Sequence, residues 1–85
     1  MSTLANRTVI KDVTFDNKIS IHLSSGDVLT IPYTYTPKLK SATKDQLKEY
    51  RLIAGGIGIH FPKIDEDISL KGIIQYKLSH ELLAS

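Results

Sequence analysis

The sequence predicts an α+β domain: a small antiparallel sheet with two short helices, in the order β-β-β-α-β-β-α. Three observations carry that prediction. Residues 18–23 alternate strictly, with Ile19, Ile21 and Leu23 apolar and Lys18, Ser20 and His22 polar, the pattern of a half-buried antiparallel strand. Turn chemistry at Asp16-Asn17, Ser24-Ser25-Gly26-Asp27 and Gly55-Gly56 separates short strand-like runs, without the long crossovers that a parallel sheet needs. Thr43 and Ser69 each stand before a short helical period as N-cap residues.

In the first strand Val9, Val13 and Phe15 share a face, opposite Ile10, Asp12 and Thr14. The second is the alternating run. Gly26 supplies a positive φ, if the turn requires one, before the third strand, whose face is Leu29, Ile31 and Tyr33. Pro32 lacks the amide a ladder needs, so that strand ends there or lies at an edge, and Pro37 closes the strand region. Thr43-Lys44-Asp45-Gln46 reads as a capping box opening a helix over residues 44–50, with Leu47 and Tyr50 inward and Lys44, Lys48 and Arg51 on another face. Gly55-Gly56 suits a two-residue hairpin turn with φ > 0 at both positions, followed by a strand that puts Ile57, Ile59 and Phe61 on one face and Gly58 and His60 on the other. Ile19, Ile21, Leu23, Ile57, Ile59 and Phe61 are thus expected to be buried on one sheet face, with His22 and His60 opposite. Ser69 caps the last helix, with Ile68 and Ile73 as a hydrophobic staple and Leu70, Ile73, Ile74 and Leu78 as its apolar period. Leu82 and Leu83 either extend that helix or dock separately.

Eighty-five residues make one domain, and a chain this short buries only about 60–65 % of its unfolded surface. With no cysteine, neither a disulfide nor a thiolate metal site staples the thin core. No apolar run approaches the ~18 residues of a membrane span, and the N-terminus lacks the apolar stretch of a secretory signal. A cytoplasmic location is expected, which makes the Asn6-Arg7-Thr8 sequon accidental. The net charge of +2 is too small to argue nucleic-acid binding, yet the charge is segregated. Lys38, Lys40, Lys44, Lys48 and Arg51 cluster against Asp45 and Glu49, and Asp65-Glu66-Asp67 is wholly acidic.

Residues 50–72, YRLIAGGIGIHFPKIDEDISLKG, contain Gly58-Ile59-His60, Pro62 and Asp65-Glu66-Asp67-Ile68-Ser69. This segment resembles the signature G-x-G-I-H-W-P-x-x-D-E-D-I-S of the bacterial domain-of-unknown-function family 2442. The likeness extends upstream through Leu23-Ser24-Ser25-Gly26, Ile31-Pro32 and Pro37-Lys38-Leu39 with Ala42-Thr43, similar to that family's L-S-D-G-R, V-P and P-R-L-x-x-A-[ST]. Phe61 stands where tryptophan is usual, Lys38 where arginine is usual, and Thr36 replaces an aromatic. The resemblance implies a known type of fold and no established activity. Members occur alone, fused to helix-turn-helix domains, or beside another small gene, settings that resemble regulatory and toxin–antitoxin pairs.

His60 with Asp65, Glu66 and Asp67 has the chemistry of a divalent-metal or acid–base site if these groups converge. The competing reading makes His60 a strand residue bonded to a carboxylate and Asp67 a charge favouring the helix N-terminus. Lys38, Lys44, Lys48 and Arg51 are candidate partner-binding residues and, with Lys40, suit contacts to phosphate, with Tyr33 and Tyr35 as stacking faces; an ordinary solvated helix face explains the same lysines. Gly55-Gly56-x-Gly58 lies between two strands, the wrong context for a phosphate loop. Lacking a cysteine and a G-x-S-x-G elbow, the chain is expected to be neither an enzyme nor a cofactor carrier. The expected function is a small protein-binding or regulatory module. Another protein is its expected partner, with self-association, nucleic acid and a His60-centred metal as alternatives.

Overall fold

The computed structural model describes residues 8–82. Within them six strands and three helices follow one another: β1 Ile10–Phe15, β2 Ile19–Leu23, β3 Val28–Ile31, α1 Pro37–Ser41, α2 Lys44–Leu47, β4 Arg51–Ile53, β5 Gly58–Phe61, β6 Glu66–Ser69 and α3 Leu70–Lys77. The class is α+β as expected, and the strands form two antiparallel sheets, ordered β1-β2-β3 and β4-β5-β6. Leu83 and the side chain of Leu82 lie outside the described residues, as do Asn6 and Arg7 of the sequon.

In the first sheet β2 is the central strand and carries the clearest alternation: Ile19, Ile21 and Leu23 are all buried. His22 faces the other way, with Nε2 2.9 Å from Thr14 Oγ1. The expected face of β1 needs correction. Ile10 pairs with Leu23 and Asp12 with the adjacent His22, so Lys11 is an extra residue in a β-bulge. The bulge reverses the alternation before it, and Ile10 rather than Val9 enters the core with Val13 and Phe15. Gly26 adopts φ +95° in the β2–β3 turn. β3 stops at Ile31, before Pro32, so Tyr33 lies in a 3₁₀ turn, Tyr33–Tyr35, instead of on a strand face.

Two helical turns then replace the single helix expected over residues 44–50. Pro37 opens α1 at its first position, where a missing amide costs nothing, and Thr36 accepts the Leu39 amide. The Thr43–Gln46 capping box is present in full, but α2 ends at Leu47. Leu39 and Leu47 each plug the core with 0 % exposure.

The second sheet also departs from expectation at its hairpin. Ile53 pairs with Gly58, so the loop has four residues, Ala54 to Ile57, rather than two. Ala54, Gly55 and Gly56 all take positive φ. Ile57 therefore sits in the loop at 53 % exposure and leaves the buried face to Ile59 and Phe61. The segment expected to lead directly into the last helix is instead strand β6, paired with β5 from Phe61↔Glu66 to Gly58↔Ser69. Ser69 ends β6 and caps α3, accepting the Gly72 amide at 2.9 Å.

The sheets meet through aromatic rings. Phe15 of β1 lies edge-on to Phe61 of β5 at 6.5 Å and tilted against Tyr50 at 6.0 Å. A buried ring or aliphatic side chain contributes roughly 1.5–3 kcal/mol, and Phe61, Ile59, Ile19 and Ile21 are fully enclosed. In α3 Leu70 and Ile73 face this core, while Leu78, in the π-type turn that follows, is 51 % exposed.

Candidate functional site

β5 is the middle strand of the second sheet, so its two faces collect residues from both neighbours. Leu52, Ile59 and Ile68 stand in one row, of which Ile59 and Ile68 are buried in the core and Leu52 is 36 % exposed. Arg51, His60 and Asp67 stand in one row on the outer face, with Ile53, Gly58 and Ser69 in the next. Strand alternation alone places these six side-chain positions together. His60 Nδ1 lies 2.5 Å from Asp67 Oδ1, and both side chains are open to solvent, at 32 % and 66 % exposure. Ile53 covers the gap that Gly58 leaves: its Cγ1 is 3.0 Å from where a Cβ on Gly58 would stand.

The acidic run does not converge on His60. Asp65 lies in a turn with φ +51°, and its carbonyl accepts Lys38 Nζ at 2.8 Å. Glu66 pairs with Phe61 and shares its side of the sheet, so Asp67 alone of the three reaches the imidazole. Among the described residues no group of three His, Cys, Asp or Glu side chains is placed to hold a metal ion.

The basic cluster is also dispersed. Lys44 opens α2 and Lys48 follows its last residue, both exposed, whereas Arg51 has passed into β4. The three do not form one helical stripe, because α2 is a single turn. Tyr33 and Tyr35 are engaged in packing. The Tyr33 hydroxyl donates to the Asp16 carbonyl at 2.7 Å, and Tyr35 lies edge-on to Tyr76 at 5.0 Å, which in turn stacks on His80 at 3.9 Å. Desolvation raises the pKa of both phenols, with Asp16 adding to the shift at Tyr33 and Tyr76 at Tyr35.

Sequence reasoning passed over Ile53, which at 39 % exposure supplies the apolar part of the outer face. The available signal was Gly58, since a glycine inside a strand marks close approach by a neighbour.

Fold and site together define a small α+β domain with a solvated sheet face that carries a guanidinium, an imidazole and a carboxylate in line. The chain belongs to the family described as proteins of unknown function (DUF2442), whose model matches residues 10–79. A protein of unknown function from Rhodospirillum rubrum has a similar structure, with a TM-score of 0.75 at 24 % identity over 84 % of this chain and 89 % of that one. An uncharacterized protein from Chromobacterium violaceum is similar too, with a TM-score of 0.73 at 24 % identity over 96 % of this chain and 84 % of its own. At that identity the likeness shows the fold alone. No curated protein matches.

Proposed function

We propose that this chain is a non-enzymatic protein-binding module that docks a partner on the outer face of β4-β5-β6. The observation that carries this reading is the exposed Arg51–His60–Asp67 row beside the exposed Ile53. Charged side chains around an apolar contact suit recognition of another surface, where charge sets orientation and apolar area supplies affinity. A regulatory role inside the cell, paired with a small companion protein in the manner of toxin–antitoxin systems, fits such a module. Affinity capture from the native cell tests it, with the wild-type chain beside an Arg51→Glu, Ile53→Ser variant. The wild type should retain a partner that the variant loses; a partner held equally by both removes this face from the reading.

A nucleic-acid-linked role is the second reading, with the exposed Lys44, Lys48 and Arg51 as the phosphate contacts. Phosphate contacts would give binding that weakens steeply with salt. A flat salt response with DNA and RNA would eliminate it.

A further inference from the structure

Strand β4 ends the second sheet, and the backbone groups on its free edge follow from the register. The Leu70 amide donates to the Ile57 carbonyl at 2.8 Å, in step with the β5–β6 ladder, so Ile57 and Leu70 form a hydrogen-bonded pair. Bonded and non-bonded pairs alternate along an antiparallel ladder. Ile59 and Phe61 therefore bond to β6, while Gly58 and His60 bond to Ile53 and Arg51 of β4. Leu52, opposite Ile59, is left with its amide and carbonyl pointing away from the sheet. Among the described residues no turn, cap or side chain bonds to either group.

Folded proteins block strand edges with bulges, charges, prolines or covering elements. Here β1 has the Lys11 bulge and the Tyr50 hydroxyl, β3 lies against α3, and β6 carries Glu66 and Asp67. β4 has one charge, Arg51, followed by Leu52 and Ile53 at 36 % and 39 % exposure. An outward amide and carbonyl on one extended residue are matched by another strand. We propose that this strand is β4 of a second copy, paired antiparallel about a two-fold axis at Leu52, so that two three-stranded sheets become one of six. That symmetry sets Leu52 opposite Leu52 of the second copy, and the two outward amides and two outward carbonyls satisfy one another. Arg51 falls opposite Ile53 of the second copy rather than another guanidinium, so no like charges meet across the pair. The outer face with Arg51, His60 and Asp67 stays open, and partner docking there does not depend on the pairing.

Two backbone bonds and four apolar side chains make a contact below the roughly 1,200 Å² of stable complexes, so dissociation is expected at about 10–1,000 µM. Sedimentation of the purified full chain over about that range should show a monomer–dimer equilibrium. In a mixture of ¹³C-labelled and unlabelled chains, a filtered nuclear Overhauser effect should link Arg51 Hα to Ile53 Hα. These atoms are far apart along one strand and close only across the pair. Leu52→Pro removes an amide that the fold does not use, so it should keep the native spectrum and weaken association about tenfold or more. Ile53→Lys sets an ammonium against Arg51 and should weaken it about five- to tenfold. Adding Arg51→Glu to Ile53→Lys should restore association to within about threefold of the original, since opposite charges then face each other. A chain monomeric to the top of that range would overturn the proposal and leave the edge to a strand of another protein. A dimer that survives both Leu52→Pro and Ile53→Lys, or lacks the Arg51–Ile53 contact, would overturn it by placing the interface elsewhere. Failure of Arg51→Glu to rescue Ile53→Lys would overturn the register.

Discussion

The Tyr50 hydroxyl accepts the backbone amide of Val13 at 3.1 Å, and so satisfies one amide of the edge strand β1. It also donates to Asp12 Oδ1 at 2.8 Å. An open strand edge is a template for pairing with another chain, and here a side chain one residue ahead of β4 takes up one of its donors. Tyr50→Phe keeps the ring against Phe15 and deletes both bonds. The expected cost is about 1–3 kcal/mol, seen as a lower urea midpoint at unchanged slope. An unaltered midpoint would show that water replaces the phenol without loss.

Burial raises the Tyr50 pKa above the ordinary 10.0, and the hydrogen bond to Asp12 raises it further, with the Val13 amide opposing. Tyr33 and Tyr35 are raised as well, chiefly by burial. The folded chain thus holds these protons more tightly than the unfolded chain. Their stabilisation is complete below the unfolded value and is lost as pH climbs through the folded values. The urea midpoint should fall above about pH 10, and fall less steeply in Tyr50→Phe, which separates the phenol from lysines titrating in the same range. Parallel declines in the two proteins would contradict this.

Gly56 and Gly55 should respond differently to alanine. Both have positive φ, but a Cβ on Gly56 would meet Val9 Cβ at 2.9 Å and the Ile10 carbonyl at 3.1 Å, whereas one on Gly55 would meet nothing within 4 Å. Gly55→Ala is expected to cost only the left-handed conformation, about 1–2 kcal/mol. Gly56→Ala should cost more, since the loop must also move off β1. Comparable denaturation midpoints would mean that the loop yields freely.

Thr43→Ala and Ser69→Ala should each lower stability by roughly 0.5–2 kcal/mol through loss of the amide bonds to Gln46 and Gly72. The Ser69 effect should appear in hydrogen exchange of the α3 amides, because that hydroxyl also marks the junction of β6 and helix. Unchanged exchange there would place the start of α3 elsewhere.

What was legible in the sequence is what local chemistry decides. Period two fixed the faces of β2, cap residues located the starts of α2 and α3, and Pro32 marked the end of β3. The division into two sheets was not legible, because it depends on the packing of Phe15 against Phe61 and Tyr50, residues far apart in the chain. Strand β6 was hidden by its composition: Glu66 and Asp67 have low strand propensity, and pairing with β5 overrides it. Ile57 was misplaced because a four-residue loop and a two-residue turn both accommodate Gly55-Gly56. At the site, His60 was identified on the open face, but its neighbours Arg51 and Ile53 come from cross-strand pairing.

The bulge at Lys11 gives β1 an uneven tolerance to changes in length. Ile10 and Asp12 already face consecutive residues of β2, so excising Lys11 would leave every pair of that ladder intact. Losing Val13 or Thr14 instead would slip the register by one, turning an inward side chain out. Over evolutionary time, relatives of this chain that differ in length within β1 should gain or lose their residue at this one position.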